Sequence, residues 1–143
     1  MTCVVDASVA LKWFLADDAY AAEAVALLKG NAEMVAPDLI VAEACNAAWS
    51  SLRLGRIEQS ELTEIAAILP RFFAELVSAA LLVQRAVFIA VQLDHPIYDC
   101  FYLALAEARQ APFVTVDGRL LRKLVGSRWA GSAYHLAKYR SHP

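Results

Sequence analysis

The sequence has no CxxC pair, and its three cysteines, Cys3, Cys45 and Cys100, are odd in number and widely spaced. That excludes a disulfide-stapled mini-protein, and reduced thiols in a cytoplasmic protein are expected. Glycine and proline are scarce, at five each, and no repeat, low-complexity tract or Pro/Gly/Ser-rich linker interrupts the 143 residues. A single domain spanning residues 1–143 is therefore expected. A clean apolar run of about 20 residues, the length a membrane span needs, is also missing. The best stretch, 76–93, contains Gln84, Arg85 and Gln92 and reads as a buried helix. The opening MTCVVDAS has no basic segment leading into a long apolar one, so no secretory signal is expected.

Charged residues make up only 20% of the chain against 59% hydrophobic, with a mean hydropathy of +0.46. Disorder is excluded by that balance. The net charge of −2 is unevenly spread. All 15 acids lie at or before Asp117, where seven basic residues leave a net −8. Beyond it stand Arg119, Arg122, Lys123, Arg128, Lys138 and Arg140 with no acid. An acidic body with a basic end suits a polyanion held beside a cation-dependent site, or simply a solvated basic helix and tail.

Short apolar runs alternate with longer helical patterns. Strands are predicted at 3–5, 34–36, 76–78, 113–116 and 133–136. Helices are predicted at 8–14, 19–28, from 37–38 to 54, from about 60 to 69, and at 81–93, 97–109 and 117–125. This alternation predicts an α/β fold, a three-layer α/β/α sandwich on a parallel sheet of about five strands. Ligands of such sheets bind beyond the carboxyl ends of the strands.

Four carboxylates are predicted at that rim. Asp6 follows the first strand, and Asp117 follows the strand 113–116. Asp99 lies in the first turn of the helix beginning near Ile97. Glu43 lies about one and a half turns into the helix after strand 34–36, inside an otherwise apolar run. Clustered carboxylates repel in a low-dielectric cleft, and a divalent cation relieves that repulsion. Hard oxygen ligands favour Mg²⁺ or Mn²⁺, and no His/Cys set has zinc spacing. Each acid also has a plainer reading: Asp6 and Asp117 as helix caps, Asp99 as a partner of the helix dipole.

Polar neighbours surround these positions. Asn46 is three residues past Glu43, on the same helical face, and Ser8 and Thr115 lie two residues from Asp6 and Asp117. Tyr98 and Tyr102 flank Asp99 and read as core. His95, His135 and His142 are scattered and suggest no catalytic set. Trp13, Phe14 and Leu15, with Trp49 and Leu52, would form an apolar groove if exposed together. Arg119, Arg122 and Lys123, with Lys12, are the candidate contacts for a polyanion.

The blocks VVDASVALKWF, PDLIVAEACNAAW, HPIYDCFYLALAEA and FVTVDGRLLRKL, in this order, resemble a PIN-domain ribonuclease, and among these the VapC-type toxins of toxin–antitoxin pairs. The resemblance runs from about Cys3 to Leu136, with 56–90 matching in length and pattern only. It implies metal-dependent endonucleolytic cleavage of RNA, with Asp6, Glu43, Asp99 and Asp117 as the acidic quartet. Ser8, Asn46 and Thr115 match the polar positions beside it. It further implies 5′-phosphate and 3′-hydroxyl products, a homodimer, and a small antitoxin protein lying across the site. Two other readings stand beside it. One is a metal-dependent phosphatase or DNA nuclease on a similar sheet. The other is a non-catalytic, metal-stabilised module that binds a partner.

Overall fold

A computed structural model describes residues 1–140; His142, among the scattered histidines, lies outside them. Five parallel strands form one sheet: β1 (Thr2–Val5), β2 (Glu33–Pro37), β3 (Glu75–Val77), β4 (Phe113–Thr115) and β5 (Ala133–His135). Their spatial order is β3-β2-β1-β4-β5. Seven α-helices flank the sheet: α1 (Ala7–Ala10), α2 (Ala21–Lys29), α3 (Leu39–Arg53), α4 (Gln59–Ile68), α5 (Ala79–Leu93), α6 (Ile97–Arg109) and α7 (Gly118–Leu124). The α/β sandwich expected from the alternation is what the chain forms.

The strands are short, and β1 and β4 are buried nearly throughout. Helices on both faces produce that pattern in a parallel sheet. The chain builds outward from β1 to β2 and β3, then returns to place β4 on the other side of β1. The strand order reverses between β1 and β4, so a crevice opens beyond their carboxyl ends. Val5 pairs in register with Val114, which sets Asp6 across from Thr115.

Helix α6 is the innermost helix. Seven consecutive residues, Cys100 to Ala106, are buried, and it packs on β1, β2 and β4. Helix α5 packs chiefly on α6. Among the described residues, no helix is long and apolar enough to cross a membrane.

The predicted 8–14 helix is shorter than expected. Helix α1 tightens after Ala10 into a 3-10 turn over Leu11–Trp13. Helix α2 begins at Ala21 rather than residue 19, because Tyr20 takes a left-handed conformation (φ 64°) at its start.

Candidate active site

Asp6 ends β1 and caps α1. Its Oδ1 accepts from the Val9 amide at 3.2 Å and from the Ser8 hydroxyl at 2.5 Å. Its Oδ2 accepts from Thr115 Oγ1 at 2.5 Å, across the register between β1 and β4. The cap reading therefore holds for this residue. Asp6 is 6% exposed. Burial pushes its pKa up to about 6, against the lowering effect of Ser8, Thr115 and Val9, and the charge of Asp99 raises it further.

Thr115 also ties Asp117 to the cluster. Its Oγ1 accepts from the Asp117 amide at 3.0 Å while donating to Asp6. Ser8 Oγ in turn accepts from the Val116 amide at 3.3 Å. Ser8 and Thr115 thus sit beside the acids, as their spacing suggested. The Asp117 carboxylate caps α7, with Oδ1 accepting from the amides of Arg119 and Leu120 at 2.9 and 3.2 Å.

Glu43 projects from the second turn of α3. Its Oε1 accepts from the Tyr102 hydroxyl at 2.7 Å. Burial raises its pKa, Tyr102 works against that, and Asp99 adds to it. The Tyr102 phenol is pushed far above its ordinary range by burial and by Glu43, with Asp6 and Asp99 contributing, so it stays a donor. The charge of Asp99 therefore raises both Asp6 and Glu43, and Tyr102 senses all three.

Asp99 occupies the third position of α6. Its Oδ2 lies 2.6 Å from His95 Nε2. His95 sits in the turn before α6, so one histidine does join the site. Tyr102 is core as expected, yet its hydroxyl serves Glu43. The other expected core tyrosine, Tyr98, is 64% exposed instead, because its place in the first turn of α6 points away from the sheet. Both additions had a signal in the sequence: a histidine four residues before a site acid, and a tyrosine three residues after it on the same helical face.

Other expected positions are placed less centrally. Asn46 is exposed, its carbonyl accepts from Ser50 Oγ at 3.2 Å, and the group that holds Glu43 is Tyr102. Lys12 lies 3.7 Å from Asp18 with its side chain only 11% exposed, which ties it away from a polyanion. Arg119, Arg122 and Lys123 are exposed on α7, directly beyond Asp117.

The five apolar residues do not make one groove. Trp13 is an internal contact: its indole N–H donates to the Ala24 carbonyl at 3.0 Å and its ring meets Phe72 edge-on at 5.4 Å. Phe14 and Leu15 line a depression with Asp17, Asp18, Arg56 and Ile57. Trp49, 46% exposed, lines another with Arg53, whose guanidinium lies over its ring. Leu52 is partly buried against the core.

The donor set suits a hard divalent ion. Among the described residues, no group of three or more His, Cys, Asp or Glu side chains is arranged to hold a metal ion. Mg²⁺ does not require one: it keeps several waters and takes one or two carboxylates. Asp6, Glu43 and Asp99 each have at least one oxygen fixed by a neighbouring group and further lone pairs to offer.

The PIN domain family model matches residues 3–125. The fold is similar to the crystal structure of PAE2754 from Pyrobaculum aerophilum, with a TM-score of 0.64 and 21% identity over 96% of this chain and 85% of that one. No curated protein matches the sequence. PIN domains are generally nucleases that use divalent metals. With that match spanning most of its length, and with the buried Asp6 at the switch point of its sheet, the chain belongs to the PIN domain family.

Proposed function

We propose that this protein is a Mg²⁺- or Mn²⁺-dependent endoribonuclease, acting as the toxin of a toxin–antitoxin pair. What supports the nuclease reading is that Asp6, Glu43 and Asp99 come from three elements, that Thr115 holds Asp6 and Tyr102 holds Glu43, and that the charge of Asp99 raises both of those acids. Asp6 and Asp99 would hold the ion, with Asp117 completing the site or holding a second one. Such an ion lowers the pKa of water and offsets charge on the phosphoryl oxygens. Glu43 would accept the proton of the attacking water. Its raised pKa makes it a better base than an exposed glutamate. The raised phenol of Tyr102 keeps its proton and holds Glu43 Oε1 in place. Water attack on the phosphodiester leaves a 5′-phosphate and a 3′-hydroxyl. Arg119, Arg122 and Lys123 would hold RNA phosphates next to Asp117.

The toxin reading adds two partners. The depression lined by Phe14 and Leu15 would take apolar side chains of an antitoxin segment, whose arginine would then enter the acidic notch. A second copy of the chain would pair on α5. Leu81, Val87, Phe88 and Val91 are exposed there, and the helix's one charge, Arg85, is bonded to Glu107 at 2.6 and 2.7 Å. Val91→Glu should then lower the mass measured by light scattering from dimer to monomer.

Cleavage of RNA is tested with Asp6→Asn and Asp99→Asn, supplied with Mn²⁺. Both should abolish endonucleolytic products while circular dichroism stays unchanged. Retained cleavage in either variant contradicts the reading. A stability gain with Mn²⁺ but no cleavage by the wild type would favour a non-catalytic binding module. Parallel assays on duplex DNA and a small phosphate ester separate the other hydrolase readings.

A further inference from the structure

We infer that His95 is a positioning residue for the cation site: its Nε2–H holds Asp99 Oδ2, and this fixes the carboxylate with Oδ1 toward Asp6 and Glu43. The inference rests on the metal-dependent reading above and assigns a task to a residue outside the four acids.

The local backbone explains why such a residue is needed. A Glu or Gln at the third position of a helix commonly reaches back to the amide of the N-cap residue. Helix α4 does this: Glu61 Oε1 accepts from the Glu58 amide at 3.0 Å, closing a capping box. Asp99 holds the same position in α6, but its N-cap residue is Pro96, which has no amide hydrogen. The carboxylate is thereby released from capping its own helix. His95 takes hold of it instead at 2.6 Å.

The imidazole is well anchored for this. Its residue follows Asp94, which ends α5 in the left-handed conformation (φ 50°). The His95 amide donates to the Ala90 carbonyl at 3.2 Å, and Pro96 immediately follows. The side chain is 14% exposed and that of Asp99 28%, so the contact is partly shielded from water. Among the described residues, no donor is bonded to Asp99 Oδ1, the oxygen left for a cation. Groups that orient ligating carboxylates in this way commonly contribute tenfold or more to metal affinity.

The test is a Mn²⁺ titration of the whole protein without RNA, reading free Mn²⁺ by electron paramagnetic resonance. His95→Ala should weaken binding about tenfold. His95→Gln, which keeps an N–H at similar reach, should restore most of it. In cleavage assays, His95→Ala should need correspondingly more Mn²⁺ for half-maximal rate, yet approach the wild-type kcat at saturation. Wild-type affinity in His95→Ala overturns the inference, and so does a His95→Gln variant as weak as the alanine. If the wild type binds no Mn²⁺, the metal-dependent reading falls and takes this inference with it. The two failures are distinguished by the wild-type titration alone.

Discussion

The carboxyl and amino edges of the sheet treat acidic residues in opposite ways. At the amino edge, a cavity of about 690 Å³ opens among Met1, Pro112, Ser132 and Tyr139, with Glu107 at its border. There Glu107 is clasped by Arg85, and its pKa is lowered by that contact. Glu75, at the start of β3, is likewise lowered by Arg109 at 2.7 Å. At the carboxyl edge, Asp6 and Glu43 are raised, and the groups that hold them are hydroxyls rather than guanidinium groups. The hollow is thus bordered by an acid already paired with arginine, whereas among the described residues Asp6 and Glu43 are bonded to no arginine. The lesson is that raised acids, not empty volume, mark the edge to which the proposed chemistry is assigned.

Substitutions that break this contrast should do so in a graded way. Glu43→Gln removes the base and should lower kcat for RNA cleavage by about 100-fold or more. Tyr102→Phe leaves Glu43 buried without its donor, and a smaller loss of about tenfold at pH 7 is expected. The pH profile should reveal the cause. Tyr102 lowers the Glu43 pKa, so its loss moves the acid limb of the rate profile to higher pH. The defect should then be worse at pH 6 than at pH 8.

Replacing Arg119, Arg122 and Lys123 together with glutamine should weaken RNA binding and flatten its salt dependence, reducing the slope by about 2. Filter binding across a salt series reads this directly. Glu107→Gln, at the contrasting edge, should leave cleavage unchanged, since exposed ion pairs contribute little. A large loss of activity there would erase the distinction between the two edges.

The stability of the metal-free protein carries the same contrast. Between about pH 4 and 6 the folded state keeps a proton on Asp6 that the unfolded chain releases, because burial raises the group to about 6. Stability from this residue is therefore present at low pH and fades as pH rises through 6. The loss approaches about 3 kcal/mol by pH 7, at 1.36 kcal/mol per unit. Denaturant unfolding in EDTA across that range should show it.

Much of this arrangement was legible in the sequence. Helix α6 matched its expected bounds at both ends, because Pro96 precedes it and its apolar pattern is unbroken. The acids at the strand ends followed from the parallel-sheet rule alone. Long-range contacts were not legible. Helix α5 begins at Ala79, two residues earlier than expected, because the Asp38 side chain accepts from the Ala79 amide at 3.0 Å, 41 residues away. Asp38, read as opening α3, makes its side-chain bond to a different helix. The bulky segment 13–15 suits either a groove or the core by sequence, and Phe72 and Phe73, brought in by the turn after α4, decide for packing by covering the indole of Trp13. Periodicity says which residues want to be buried, and only the fold says against what.

Thermal melts of the wild type and Asp6→Asn at pH 7.5, each with EDTA and with excess Mn²⁺, test the central claim most directly. Without metal, Asp6→Asn should melt higher, because a neutral side chain removes a buried charge. With Mn²⁺ the wild type should rise by several degrees and overtake the variant, whose melting point should barely move. A variant that melts below the wild type in EDTA, with the same response to Mn²⁺ in both, would contradict the account and leave Asp6 as an ordinary helix cap.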